Sequence, residues 1–152
     1  MKSENLKSKK FNPATRRKAR HFIVQALYQW QMAGHDIGVI EHQFLTQTDM
    51  DKQVDLTYFR ELLRAILSDV EKVDAKMEGF LDRKLTELDP IEQAILRLGT
   101  YELTQRLDIP YKVAVNEALE LAKLFGSPDS HKYVNGVLDK VAKQFRHVET
   151  AK

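Results

Sequence analysis

Cysteine is absent from this 152-residue chain. That excludes disulfides, thiolate zinc sites, iron–sulfur clusters and cysteine nucleophiles, and it suits a reducing compartment. Glycine and proline are scarce, six and four residues, and they fall where helices would start or stop rather than inside apolar stretches. No uninterrupted apolar run exceeds three residues, which leaves no spanning helix and no secretory core segment, so the expected location is the cytoplasm. Glycine-rich phosphate loops, dinucleotide fingerprints and HExxH spacings are also missing. The five histidines stand at 21, 35, 42, 131 and 147 with no ligand spacing, and no metal and no cofactor are expected. Asp129, Ser130 and His131 contain the residue types of a hydrolase triad, but consecutive residues point in different directions and cannot form its relay. The chain is therefore not expected to be an enzyme.

With 43% apolar and 30% charged residues, the composition is that of a globular protein, and the length suits one domain. The net charge of +2 hides an asymmetry. Residues 1–20 carry eight Lys/Arg against Glu4 alone, whereas the remaining 132 carry 16 against 21 acids. A basic N-terminus points to a phosphate-rich partner, with a solvated or transit-peptide-like tail as the alternative. The first ten residues, MKSENLKSKK, have almost no apolar content and are expected to stay mobile when nothing is bound. Residues 1–12 thus read as a flexible basic extension, and 13–148 as a single domain.

Apolar periodicity predicts an all-α fold, a compact bundle of about six or seven helices. Asn12 and Pro13 offer a cap and first position for a helix with Ala19, Ile23, Ala26, Leu27 and Trp30 as its stripe, running to about Gly34. Arg17, Arg20, Val24 and Tyr28 project from a neighbouring face. Asp36 can cap a second helix burying Ile37, Ile40, Phe44 and Leu45. From Leu56 to Phe80 the positions 56, 59, 63, 66, 70, 73, 77 and 80 form a heptad seam, about 37 Å long if helical throughout. A coiled-coil dimer fits that spacing, but Leu62, Leu67 and Leu81 widen the stripe and favour the central helix of a bundle. Asp89, Pro90 and Glu92 supply the cap, first-turn proline and reciprocal acid of a capping box. Gly126 closes the next helix at a position suited to a left-handed residue, and Gly136 in the last one would let a neighbour's backbone come close.

The cluster Arg16, Arg17, Lys18 and Arg20, followed by Tyr28 on a compatible face, is a binding signature. Arginine forks grip phosphates, and a tyrosine ring offers a platform for an unpaired base, a pairing that suits single-stranded RNA better than duplex DNA. Packing is the structural alternative for Tyr28.

The stretches RRKARHFIVQALYQWQ (16–31), IEQAILRLGTYEL (91–103), PYKVAVNEALELAKLFG (110–126) and DSHKYVNGVLDK (129–140) closely resemble the NusB family of bacterial transcription antitermination factors, with order and spacing matching from about 13 to 146. The resemblance implies two small helical bundles around a shared long helix. It also implies a partner, the ribosomal protein NusE, and joint binding of the boxA element in nascent ribosomal RNA leaders, in a complex with other Nus factors and RNA polymerase that passes terminators. By the same resemblance, RNA contacts fall on Arg16, Arg17, Lys18, Arg20, Tyr28 and Tyr133, with Asp129 modulating affinity and His131 and Lys132 beside it, while Glu92 matches an acidic position of the NusE interface. Packing beside Val134 is the competing explanation for Tyr133, and the capping box for Glu92. Other classes remain: an RNA-holding accessory domain of the kind fused to RNA methyltransferases, or a helical scaffold that forms a homodimer when free and hides its RNA face.

Overall fold

The computed structural model describes residues 12–47 and 53–151. The basic segment before Asn12 and part of the linker ahead of Leu56 lie outside the described residues. Among those described there are eight α-helices and no strand: α1 (Pro13–Ala33), α2 (Ile37–Gln47), α3 (Leu56–Ser68), α4 (Val70–Glu78), α5 (Pro90–Gln105), α6 (Tyr111–Phe125), α7 (Ser130–Phe145) and α8 (His147–Thr150), with a 3-10 turn at Leu85–Glu87. The chain divides into two compact units, at Ala65 and Ile66.

In the first unit, the Asn12 side chain accepts hydrogen bonds from the amides of Ala14 (2.9 Å) and Thr15 (3.3 Å), and Pro13 follows at the first helical position. These contacts satisfy donors that a helix N-terminus leaves without partners. At the other end Gly34 takes φ 73°, the left-handed conformation that stops the helix, and its amide returns to the Trp30 carbonyl. Asp36 then accepts from the Val39 amide (2.9 Å) to start α2. Phe44 meets Phe22 edge-on at 6.1 Å and Phe59 at 6.0 Å. Glu41 is buried, and Arg64 closes a two-pronged bond on it at 2.8 and 2.7 Å.

The heptad seam is buried as expected at Phe59, Leu63, Ile66, Val73 and Met77, but the helix beneath it is interrupted. Asp69 has φ −146° and ψ 44°, and its amide bonds only three residues back, to Ile66 (3.3 Å). Helical bonding resumes with Lys72 and Val73 donating to the Asp69 carbonyl. Ser and Asp are residue types that favour helix ends over interiors, and Ser68-Asp69 supplies both at the break. The periodicity reported which face is buried, not an unbroken backbone.

In the second unit, a buried guanidinium gathers three helices. Arg146 donates to the carbonyls of Leu103 (2.8 Å), Arg106 (2.9 Å) and Glu102 (3.3 Å) at the end of α5, and to Glu149 of α8 (2.6 Å). Those carbonyls carry the partial negative charge of a helix C-terminus, the place where a cation is most stabilising. Glu149 also accepts from the Tyr111 amide (3.1 Å) at the start of α6. Arg97 makes a similar two-pronged pair with Asp74 of α4 at 2.9 and 3.0 Å.

Two glycine roles differ from expectation. Gly126 is extended rather than left-handed (φ −91°, ψ 179°); what it supplies is space, since a Cβ there would lie 2.7 Å from both the Ala122 carbonyl oxygen and Ser130 Cβ. Gly136 faces nothing within 4 Å, and the close approach occurs instead at Gly99, where a Cβ would meet Leu138 Cδ1 at 2.7 Å. Leu138 is fully buried, so displacing its methyl disturbs the packing around it. Gly99→Ala is therefore expected to lower unfolding stability by about 1–3 kcal/mol through overpacking, while Gly136→Ala should raise it by about 0.5–1 kcal/mol by removing backbone entropy. Urea titrations of the two variants check the contrast.

Candidate nucleic-acid interface

Asp55 organises the start of α1. Its amide donates to the Thr15 carbonyl (3.0 Å), its side chain accepts from the Tyr58 amide (3.0 Å), and its carboxylate stands 3.8 Å from Arg16 Nε. The Tyr58 ring, 1% exposed, carries the Arg16 guanidinium 4.2 Å from its centroid and that of Arg20 at 5.6 Å. Both distances lie within cation–π range. Arg20 is only 4% exposed, and Val24 is fully buried, so these two belong to the inward side of α1, with Tyr28 at its margin. Arg17 and Lys18 are exposed, and Tyr28 is 37% exposed. At 3.6 residues per turn Lys18 and Tyr28 are about 80° apart around the helix and about 15 Å apart along it, on one side. The basic cluster thus divides into two cations laid on an aromatic ring and two presented outward. Tyr58 was not singled out by sequence reasoning; arginines at i and i+4 flanking an apolar stripe call for an aromatic or acidic partner, but nothing local says which residue supplies it.

In the second unit, the other candidates gather around the first turns of α5 and α7. Tyr133 donates its hydroxyl to Asp82 (3.0 Å), and Arg83, held on Asp82 by bonds of 2.9 and 3.2 Å, lies 5.4 Å from the Tyr133 ring centroid. Arg83 first, and Tyr133 second, hold the Asp82 carboxyl below the usual carboxylate range. Burial, then the bond to Asp82, pushes the Tyr133 phenol above its ordinary value. Glu92 does not close the expected capping box with Asp89, whose own side chain caps the Ile91 amide at 2.8 Å. Glu92 turns instead to α7, accepting from Ser130 Oγ (2.8 Å), which in turn accepts from the Ser127 amide (3.1 Å). Ser130 is buried, so this polar chain links the start of α5 to the start of α7. Asp129 and Lys132 are exposed, and His131 Nδ1 lies 3.2 Å from the Pro128 carbonyl.

A depression of about 670 Å³ adjoins Asp82 and Arg83. Three acids (Asp74, Glu78, Asp82) and three cations (Arg83, Lys84, Arg97) line it, so it offers no excess of either charge. No three His, Asp or Glu side chains converge in metal-binding fashion among the described residues, and no helix among them is long and apolar enough to cross a membrane.

Comparison with known proteins gives a consistent result. The NusB family pattern matches residues 17–143. A transcription antitermination protein NusB of Pectobacterium carotovorum subsp. carotovorum (strain PC1) is 58% identical over 134 residues, covering 88% of this chain and 96% of the relative. Among solved structures, T. maritima NusB superimposes with a TM-score of 0.78 at 31% identity, over 90% of this chain and 96% of that one. A crystal structure of antitermination factors NusB and NusE in complex with dsRNA shares the fold, with a TM-score of 0.77 at 24% identity, over 85% of this chain and 96% of its counterpart.

The Tyr133 geometry makes a pH prediction. A phenol whose folded value is raised favours the folded state below the unfolded value, near 10, and that contribution is lost as pH rises through the folded value. Tyr133 should therefore titrate above ordinary tyrosine, and Asp82→Ala should bring it part of the way back. NMR titration of ring-labelled tyrosine reads both, and an unchanged Tyr133 midpoint in Asp82→Ala would contradict the assignment to the hydrogen bond.

Proposed function

The chain belongs to the NusB family, and on that premise we propose that it is a transcription antitermination factor that holds boxA RNA of ribosomal RNA leaders together with NusE. The observation that carries this reading is the division of the basic cluster on α1. Arg16 and Arg20 lie on Tyr58, while Arg17, Lys18 and Tyr28 stand outward on one side of the same rigid helix. Two cations aimed at phosphates and a ring available for stacking form an arrangement suited to an unpaired strand. The related NusB and NusE complex was solved with dsRNA, which supports NusE and RNA as partners here, while the preference for an unpaired strand rests on the exposed ring and cations of α1.

In this reading Arg17 and Lys18 grip phosphates, Tyr28 stacks a base, and Arg16 and Arg20 keep the start of α1 in place as well as adding positive potential. Asp129, His131, Lys132 and Tyr133 form a second group of RNA contacts, with Tyr133 positioned by Asp82 and Arg83. Glu92 meets NusE with the carboxylate oxygen left over from its Ser130 bond. Residues 13–148 act as the RNA-binding domain, and Lys7, Lys9 and Lys10 before it add nonspecific phosphate attraction. The setting is the cytoplasm, where the complex joins the other Nus factors on RNA polymerase and helps it pass terminators. The chemistry is binding, with no covalent step.

Fluorescence anisotropy of labelled boxA RNA, a scrambled strand and a duplex control, with and without NusE at several salt concentrations, tests this. NusE should tighten boxA and not the scrambled strand. Arg17→Ala should weaken all RNAs and reduce the salt slope by about one unit. Tyr28→Ala should cost about 1–3 kcal/mol and leave the slope alone. Equal binding of all three RNAs, unaffected by NusE, would reduce α1 to a patch for any polyanion.

A further inference from the structure

The outward side of α1 repeats as regularly as its core side: Ala14, Lys18, His21, Gln25, Tyr28 and Met32 follow one another at steps of four and three. Such spacing keeps all six within one stripe of the helix. Gln25 stands at its centre, exposed, about 10 Å along the axis from Lys18 and one turn before Tyr28. Its position on α1 is unlike that of Gln29, whose amide is engaged with Gln43 at 2.7 Å. No hydrogen bond is made by the Gln25 side chain among the described residues, so its carbonyl and both N–H donors face outward uncommitted. A strand whose phosphates rest on Arg17 and Lys18 and whose base stacks on Tyr28 must pass this amide.

Resting on the RNA reading of α1, we infer that Gln25 is a specificity-determining residue that reads the edge of one adenine in the bound strand. Cations and a stacking ring accept any base; an amide does not. Its adjacent acceptor and donor match the donor and acceptor that adenine presents side by side, whereas guanine presents two acceptors on its corresponding edge. Base edges of unpaired strands are open to this kind of reading. The helix holds the amide on a rigid element, which narrows the edges it can reach.

The test measures binding of boxA RNA and a set of single-base variants, in the presence of NusE, by wild type, Gln25→Ala, Gln25→Glu and Arg17→Ala. Wild type should bind about tenfold more weakly when one particular adenine is replaced by guanine. Gln25→Ala should lose that discrimination at that position alone, with an unchanged salt slope and unchanged helical circular dichroism. Gln25→Glu, which only accepts, should shift preference there towards cytosine and its amino group. If Gln25→Ala leaves the base profile intact, or weakens every RNA by the same factor, while Arg17→Ala still reduces binding, the inference falls and the RNA face stands. If Arg17→Ala also has no effect, the RNA reading of α1 falls with it.

Discussion

The stacking of Arg16 and Arg20 on Tyr58 is the interaction on which the outward face of α1 depends. A helix that starts with four cations in five positions cannot turn all of them to solvent, because 3.6 residues per turn sweeps them around the axis. Two must meet the body of the protein. Tyr58 receives them with the face of a buried ring, and Asp55 adds a carboxylate while tying α1 to the start of α3 through Thr15. With Arg16 and Arg20 accommodated, the rotation of α1 is set, and that rotation decides which residues of the helix are exposed, Arg17, Lys18, Gln25 and Tyr28 among them.

The second unit handles buried charge by a related route. Arg146 finds three carbonyls at the end of α5 and one carboxylate on α8, so its guanidinium is surrounded by acceptors rather than stranded. Glu149 continues the chain of contacts to the first amide of α6. The exposed Asp82 and Arg83 pair adds little to stability by itself. Its effect is orientation, because the same carboxylate takes the Tyr133 hydroxyl and the same guanidinium lies against the Tyr133 ring. Glu92 and Ser130 tie the neighbouring turns together and use a side chain that could otherwise have served its own helix. Glu92 and Glu149 show polar side chains near helix starts serving neighbours in space, while Asn12, Asp36 and Asp89 serve neighbours in sequence.

Helix existence, type and most boundaries were legible from residue order alone. Asn12, Pro13 and Gly34 bracket α1, Asp36 starts α2, and Asp89 and Pro90 start α5, because caps act within three or four residues and leave a local signature. The core side of most helices was legible too, since burial follows the helical period, although Arg20 and Val24, placed beside Arg17 and Tyr28 by their spacing, are buried. Asp69 was not legible as a break, because a one-residue departure from helical dihedrals leaves the apolar spacing on its original side. Gly126, Gly136 and Gly99 show the same limit: a sequence marks where a glycine is, but whether it provides a left-handed turn or room for a leucine depends on what packs there.

For the candidate interface the division is similar. The presence of a basic cluster, an aromatic on a compatible face and long stretches of NusB-like sequence are properties of residue order, and they lead to an RNA-binding antitermination factor without coordinates. Which arginines face outward is not such a property. It required Tyr58, which lies 38 residues beyond Arg20 in the chain, and the Arg83 contact with Tyr133 spans 50. Side-chain pairing at that range is decided by packing between helices, and local periodicity carries no information about it. Chemistry and helical order thus came from the sequence, while the choice of which charged groups face a partner belonged to the tertiary structure.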